Sequence, residues 1–303
     1  MTRGRVLMAV AAAATIAGGA WMWAERRSRG DDFPPRPAGD TTLLSFSRVE
    51  EAWRYSKGRG VTVAVLDWQF DPDPAVSASY VRPTSMIPGE RIGDLKPWHG
   101  AWMLETVHAV APEAALMPII ARGPHSGYEN ALPRGIKYAA DHGASVVSSS
   151  MGPVENNQAL REAVEYALSR GCIFVDVHPE LVAQDGGQPR GCLPGECLDG
   201  IVHAGIVSVA PHPTRPEPGR DVYVWPYDLH SHYRDGWGLS NGPPTVAGVV
   251  ALMLGANHDL TPAQVKRLLV ETSGMKDGFR VLDAEAAVRA AARLTAGAGR
   301  SNQ

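Results

Sequence analysis

The 303-residue chain is long enough to bury one sizeable hydrophobic core, and 44% of its residues are hydrophobic. Its formal net charge is -3, so the sequence lacks the basic excess that is typical of nucleic-acid-binding proteins. Three cysteines are too few for disulfide bonds to be the main source of stability. We therefore expect one main domain, present as a monomer, and exclude a nucleic-acid partner and a disulfide-rich scaffold.

Residues 1–30 differ in character from the rest of the chain. Arg3 and Arg5 precede an apolar run over residues 6–24, and charged residues follow that run. The pattern predicts either a cleaved export signal or a single membrane anchor. The anchor is slightly favoured because no A-x-A cleavage site follows the run, and its length is near the roughly 20 residues that span a bilayer. Both alternatives predict an exported, extracytoplasmic domain, and the second adds membrane association through residues 6–24.

The next segment, residues 31–45, is rich in Pro, Asp and Thr and is interpreted as a linker. From residue 46 to residue 295, short apolar runs alternate with helical patterns, which predicts a single domain. Residues 296–303 are expected to form a flexible tail.

Almost uninterrupted apolar runs predict the central strands of a parallel sheet. They lie at residues 61–67, 115–121, 145–150, 172–177 and 201–209. Residues 130–142 and 159–170 carry apolar side chains at helical spacing, and each pattern stops at a glycine, the residue expected just past a helix end. Strands and helices joined in this order predict an α/β fold of three layers, with a mostly parallel central sheet and helices on both faces.

A later stretch, residues 236–255, contains a helix that is apolar on every side, so we expect it to be buried inside the domain. Pro243 and Pro244 suit its first turn. Two further helices have capping residues at their starts, Thr261 and Asp283.

Ser240 stands immediately before this buried helix, where unpaired N–H groups and partial positive charge favour an anion. A serine there has a nucleophilic oxygen beside donors for a developing oxyanion, although it also fits the simpler interpretation of a helix cap.

A serine nucleophile needs a base and an acid that orients the base. Asp67 closes the first predicted strand and His99 stands where a helix begins, which makes both candidates. The alternative interpretations are that Asp67 is an ordinary turn residue after a strand and that His99 has no catalytic role.

Three sequence blocks around these residues resemble the subtilisin-like serine proteases, or subtilases. GLSNGPPTVAGVVALML is similar to the family's serine block G-T-S-M-[AS]-x-P-H-V-A-G, GRGVTVAVLD to its aspartate strand, and HGAWMLETVHAVAPEAALMPI to its histidine block. They occur in the subtilase order Asp67, His99, Ser240, and the likeness covers roughly residues 46–292. The chain is identified as an atypical member of this family.

The resemblance implies a subtilisin-like fold and a serine endopeptidase that acts on a peptide or protein substrate. Ser240 is then the nucleophile, His99 the general base and Asp67 the acid that orients the base. No metal or cofactor is needed for this chemistry. Three further residues are implied to line a cleft in which the substrate pairs as an added strand: Ser150, Met151 and Gly152.

The departures from the family lie beside the predicted site. Trp68 follows the aspartate where the family has Thr or Ser. The family's A-A-G-N strand end, whose asparagine donates to the oxyanion, corresponds to VDVHPELV here, and residues 176–181 contain no asparagine. The candidate oxyanion donors are therefore the backbone N–H of Ser240 and the side chain of His178. We expect a slow endopeptidase, with a non-catalytic, peptide-binding member of the fold as the alternative.

Cys192 and Cys197 bracket a short Pro/Gly loop and are candidates for a disulfide outside the cytoplasm. Cys172 lies in an apolar run and is expected to be a buried free thiol. Asp71 and Asp73 stand between prolines and are interpreted as turn residues rather than as a calcium site.

Overall fold

The computed structural model describes residues 42–70, 74–94, 99–123, 128–151, 158–176, 182–183, 189–190, 202–203, 242–276 and 279–294. All of them belong to one compact unit, which extends from Gly39 to Gln303. The predicted N-terminal signal or anchor and the predicted tail lie outside the described residues, and both stay predictions.

Ten strands are assigned within the described residues: Thr62–Asp67 (β1), Thr84–Ser85 (β2), Ala115–Ile120 (β3), Val146–Ser149 (β4), Ile173–Asp176 (β5), Val182–Ala183 (β6), Pro189–Arg190 (β7), Val202–His203 (β8), Gly274–Lys276 (β9) and Phe279–Val281 (β10). Six of them form a parallel sheet in the order β2-β3-β1-β4-β5-β8. The other four form two antiparallel pairs, β6 with β7 and β9 with β10. β1 lies between β3 and β4, so its last residue emerges near the middle of the sheet's C-terminal edge.

Nine helices are assigned in the same part of the chain: Thr42–Phe46 (α1), Val49–Ala52 (α2), Pro74–Ser77 (α3), His99–Val110 (α4), Tyr128–Asp141 (α5), Gln158–Ser169 (α6), Gly242–Ala256 (α7), Pro262–Thr272 (α8) and Ala284–Arg293 (α9). The predicted helix ends are confirmed at Gly143 and Gly171, which have φ of 83° and 82°, a conformation that favours glycine. The predicted caps at Thr261 and Asp283 are also present. α1 begins inside the segment interpreted as a linker, where Leu44 is buried in the core.

Side chains alternate along β1, so its two faces supply two hydrophobic cores. Val63 and Val65 belong to the core that α4 and α7 share, whereas Ala64 and Leu66 belong to the core that α5 and α6 share. Helices therefore cover both faces of a mostly parallel sheet, which confirms the predicted α/β fold class.

The helix α7 is enclosed on every side, as its lack of a polar face predicts. All residues from Gly242 to Leu254 are buried. Gly248 allows α7 to lie directly on α4, because a Cβ at that position would lie only 2.6 Å from the Cβ of Val110. Atoms in a packed interior do not approach so closely, so this contact needs glycine.

A buried carboxylate, that of Glu285 at the start of α9, joins the two ends of the described fold. It accepts hydrogen bonds from Arg48 (3.3 Å), Tyr55 (3.2 Å) and Arg289 (3.1 Å), and a further one from Arg54. Burial acts to raise the pKa of Glu285, but the hydrogen bond from Arg54 and the charge of Arg289 outweigh it, so the pKa lies below its ordinary value. The carboxylate is therefore ionised at neutral pH.

None of the helices in the described ranges is both long and apolar enough to cross a bilayer. Residues 6–24 are outside those ranges, so the predicted membrane association is not addressed by this observation.

Candidate active site

Asp67 and His99 meet at the C-terminal edge of the sheet. Asp67 is the last residue of β1, and His99 is the first residue of α4. The Nδ1 atom of His99 lies 2.8 Å from Oδ1 and 2.9 Å from Oδ2 of Asp67. The aspartate side chain is fully buried, and the histidine side chain is 11% exposed. The structure thus brings together two of the three residues that the sequence predicts for the catalytic triad.

The geometry of this pair determines what the histidine can do. An ionised carboxylate only accepts hydrogen bonds, so Nδ1 of His99 carries the proton and Nε2 is left with a lone pair. The backbone N–H of Trp68 also donates to Oδ1 of Asp67, at 2.7 Å, which helps to fix the orientation of the carboxylate. A neutral imidazole held in this tautomer can accept a proton from a nucleophile.

The first turn of α4 lies against the segment that follows β1. A Cβ at Gly100 would lie 2.7 Å from the carbonyl oxygen of Gln69 and 3.1 Å from the Cβ of Asp67. Any side chain larger than hydrogen would push the start of α4 away. The backbone carbonyl of Asp67 also accepts a hydrogen bond from the N–H of Ala121, at 2.8 Å, which fixes the end of β1 to the segment after β3. The distance between Asp67 and His99 is thus set by backbone contacts.

Two bulky side chains stand beside the pair. The ring of Trp68 has its centroid 6.2 Å from that of His99, with the planes tilted by 39°. The guanidinium carbon of Arg122 lies 4.6 Å from the centroid of the Trp68 ring, a cation–π distance. Sequence reasoning identified Trp68 as a departure from the family but missed Arg122. The available signal was its position immediately after a predicted strand, which is weak until the order of the strands is known.

Ser150 and Met151 follow β4, the strand beside β1. Leu66 pairs with Ser149, so Ser150 lies at the same level of the sheet as Asp67. Met151 is buried, and Ser150 is half-buried. At the end of β5, the next strand, Asp176 is fully buried and pairs in register with Ser149. Ser150 and Met151 are therefore at the same edge as the Asp67–His99 pair.

Cys172 is a buried free thiol, as predicted. Its Sγ donates to the carbonyl oxygen of Ala144 at 3.0 Å, and burial raises the pKa of the thiol to about 11. At neutral pH it is therefore protonated and is a poor nucleophile.

Other residues named by the sequence analysis lie outside the described residues: Asp71, Asp73, Gly152, His178, Cys192, Cys197 and Ser240. Their roles, and the proposed disulfide, stay predictions.

Comparison with known proteins shows which family this chain resembles. Residues 58–176, which contain β1, α4 and the Asp67–His99 pair, match the model of the Subtilase family. Fervidolysin from Fervidobacterium pennivorans is 28% identical over 286 residues, and the match covers 76% of this chain but only 40% of fervidolysin. Thermitase from Thermoactinomyces vulgaris is 25% identical over 250 residues, with 76% of this chain and 87% of thermitase covered.

The fold is shared with solved proteases. The structure of a protease from Pseudoalteromonas arctica superposes with a TM-score of 0.62 at 22% identity, covering 86% of this chain and 100% of the other. The family match and the sequence relatives agree with the order of the sequence blocks and with the geometry at the edge of the sheet. Residues 58–176 therefore form a subtilase-family region, and the chain as a whole is similar to subtilisin-like serine proteases.

Proposed function

We propose that the protein is a serine endopeptidase that hydrolyses peptide bonds through Asp67, His99 and Ser240. The observation that carries the proposal is the buried Asp67–His99 pair, in which both carboxylate oxygens lie within 2.9 Å of Nδ1. Such a pair is the base and its orienting acid that a serine nucleophile needs.

The mechanism assigns one step to each group. Nε2 of His99 takes the proton from the Ser240 hydroxyl as its oxygen attacks the carbonyl carbon of the substrate. Asp67 stabilises the imidazolium that forms, and its complete burial strengthens that interaction. His99 then gives the proton to the leaving amine, and water releases the acyl group by the reverse sequence of proton transfers.

The substrate is a peptide or protein chain in an extended conformation. Ser150 and Met151, at the end of β4, support a cleft in which the substrate adds a strand, with Gly152 completing it. Hydrogen bonds from backbone groups would align the scissile bond with Ser240.

We infer that turnover is slow. One oxyanion donor is the backbone N–H of Ser240, and the second in this family is an asparagine side chain. Residues 176–181 contain no asparagine, and His178 is the proposed substitute. In a subtilisin, loss of that asparagine lowers kcat by roughly 10²–10³, so this protein should work well below the median enzyme rate of about 10 s⁻¹.

A second candidate function is that of a non-catalytic peptide-binding protein with the same fold. The missing asparagine favours it, because the segment that should stabilise the oxyanion has lost the family's donor.

We further infer that the protein acts outside the cytoplasm, with residues 6–24 as a signal or an anchor. The basic residues and apolar run of residues 1–30 support export.

Labelling of the full chain by a fluorophosphonate probe tests the proposed function, because the probe reacts with an activated serine. Wild type should be labelled, and Ser240→Ala and His99→Ala should not. His258→Ala is the matched control, since His258 is exposed and lies beyond α7. Wild type that unfolds cooperatively, binds peptides and is never labelled would establish the non-catalytic alternative.

A further inference from the structure

Gln69 contacts the chain on both sides of the predicted base. It lies two residues after Asp67 and is 4% exposed. Its backbone carbonyl rests against the first turn of α4, where a Cβ at Gly100 would lie 2.7 Å from the carbonyl oxygen. Its side-chain Oε1 accepts a hydrogen bond from the backbone N–H of Gly93, at 3.3 Å. Gly93 precedes His99 by six residues and Gly100 follows it directly, so a single residue beside the acid contacts both flanks of the base.

The turn that contains Gly93 is closed by its own hydrogen bonds. The N–H of Arg91 donates to the carboxylate of Asp94 at 2.9 Å, and the N–H of Asp94 donates to the carbonyl of Arg91 at 3.1 Å. Gly93 has a φ of 86°, a conformation that favours glycine. Three of the four residues are exposed, and only Ile92 packs against the core. The bond from Gly93 to Gln69 therefore ties an exposed turn to the segment that follows β1.

The other end of the same amide costs stability. The N–H of Gly93 is a donor, so the amide oxygen of Gln69 faces it and Nε2 points elsewhere. Within the described residues, Nε2 is buried and has no hydrogen-bond partner. A buried donor without a partner costs at least as much free energy as a hydrogen bond gains, and the bond from Gly93 is long. Stability alone does not explain this amide, and such exceptions are typical of functional sites.

We propose that the side-chain amide of Gln69 is a positioning group for His99. Through Gly93 it fixes the turn that precedes α4, and the same bond holds in place the Gln69 carbonyl on which α4 begins. Nδ1 of His99 is thereby kept at the carboxylate of Asp67. The role rests on the proposed function, in which His99 is the general base. A displacement of about 1 Å in such a group can lower the rate by about 10²-fold.

Gln69→Met is the test variant, because methionine has an unbranched side chain of similar length and no amide. We expect kcat to fall by about ten- to hundredfold, whereas KM should change little because no contact with the peptide is removed. The midpoint of urea denaturation should stay the same or rise, because an unpaired donor leaves the interior. An amide with a merely structural role would lower both the activity and the midpoint.

Ser56→Ala is the matched control. The Oγ atom of Ser56 accepts a hydrogen bond from the backbone N–H of Gly58, at 3.0 Å. The variant thus removes the same kind of bond, from a glycine N–H to a side-chain oxygen, just before β1 rather than just after it. Its kcat should equal that of wild type.

A second readout does not depend on activity. The proton on Nδ1 of His99 gives its own NMR signal, and its hydrogen bond to Asp67 slows its exchange with water. In wild type, this proton and the amide proton of Gly93 should both be protected from exchange. In Gln69→Met, the His99 signal should shift and exchange faster, because its bond to the carboxylate is less well held. Ser56→Ala should match wild type.

This readout separates the positioning role from the proposed function. If wild type never cleaves a peptide, the endopeptidase is refuted, but a changed His99 signal in Gln69→Met still supports the role of Gln69. If wild type cleaves and Gln69→Met cleaves equally fast, the role of Gln69 is refuted and the endopeptidase stands.

Three further results would overturn the proposal. The first is an unprotected Gly93 amide in wild type, a measurement that needs no variant. The second is a His99 signal in Gln69→Met that is identical to that of wild type. The third is a Gln69→Met variant that does not fold or is less stable than Ser56→Ala, because the amide would then serve stability.

Discussion

The missing side chain at Gly100 determines the contact between the predicted catalytic acid and base. His99 can approach Asp67 only because the next residue lets the first turn of α4 rest on the carbonyl of Gln69. A general base is effective only within hydrogen-bonding reach of its partners. At this position, glycine therefore acts as a positioning residue without touching the substrate.

Gly100→Ala should reduce both stability and activity. The new Cβ would lie 2.7 Å from a backbone oxygen, which cannot move aside as a flexible side chain does. We expect a loss of about 1–3 kcal/mol in the free energy of unfolding, measured by urea denaturation, as for other overpacked sites. Fluorophosphonate labelling should slow even at temperatures where the variant remains folded.

The control for this prediction is Gly274→Ala. An added Cβ there has no atom within 4 Å, so the stability should change by less than about 1 kcal/mol. The positioning role of Gly100 is wrong if Gly100→Ala is labelled as fast as Gly274→Ala.

Among the elements, the pair of helices α4 and α7 connects the stability of the core to the site. α4 begins with His99, and α7 begins two residues after Ser240. The two helices cross where Gly248 contacts Val110. We therefore expect the spacing of α4 and α7 to affect the distance between the predicted base, His99, and the predicted nucleophile, Ser240.

Gly248→Ala tests this contact. Alanine is favoured over glycine in a helix by about 1 kcal/mol, so an isolated helix would gain from the change. Here the Cβ would lie 2.6 Å from the Cβ of Val110, and the helices must separate. We expect a net loss of about 1–3 kcal/mol in urea denaturation, together with slower labelling. A more stable variant would show that the helices can shift apart freely.

The helices and strands also show how much of the structure can be predicted from the sequence. The helix α7 is predictable because its apolar residues leave no polar face, and α8 because Thr261 and Gln264 form a capping box. Asp67 and His99 are predictable as candidates because the end of a strand and the start of a helix are local features. The stacking of Arg122 on Trp68 is not predictable, because it depends on which strands are neighbours in the sheet, and nothing in the local pattern shows this.

At the scale of the whole molecule, Glu285 connects residues that are far apart in the chain. Arg48, Arg54 and Tyr55 lie near the start of the described fold, and Glu285 lies near its end. No local pattern predicts that these groups meet. The carboxylate is buried while the arginines remain partly exposed, so most of the cost of breaking the cluster is the desolvation of one acid.

Glu285→Gln should lower the stability at neutral pH by about 2 kcal/mol, because hydrogen bonds to a charged group are replaced by weaker ones. The pKa of Glu285 lies below its ordinary value of 4.5, so the unfolded chain takes up the proton first as the pH falls. The stabilisation is thus complete above about pH 4.5 and is lost as the pH drops through the lower, folded-state pKa.

Urea denaturation as a function of pH checks this prediction. Below about pH 4.5, the stability of wild type should fall more steeply than that of Glu285→Gln. Glu162→Gln is the control, because Glu162 is exposed on α6 and accepts a hydrogen bond from Gln158 on the same helix. If the free energy of unfolding depended on pH in the same way for wild type and Glu285→Gln, the conclusion that folding lowers the pKa of Glu285 would be wrong.

The link between the ends has a consequence for synthesis on the ribosome. The N–H of Ala284 donates to the carbonyl of Ser47, and Arg48 bonds Asp283, which is 235 residues later in the chain. At roughly 5–20 residues per second, the first helices emerge about 10–50 s before their partners exist. The face of the sheet that α7 covers also stays open for most of that time. The nascent chain therefore exposes a hydrophobic surface until translation is nearly complete.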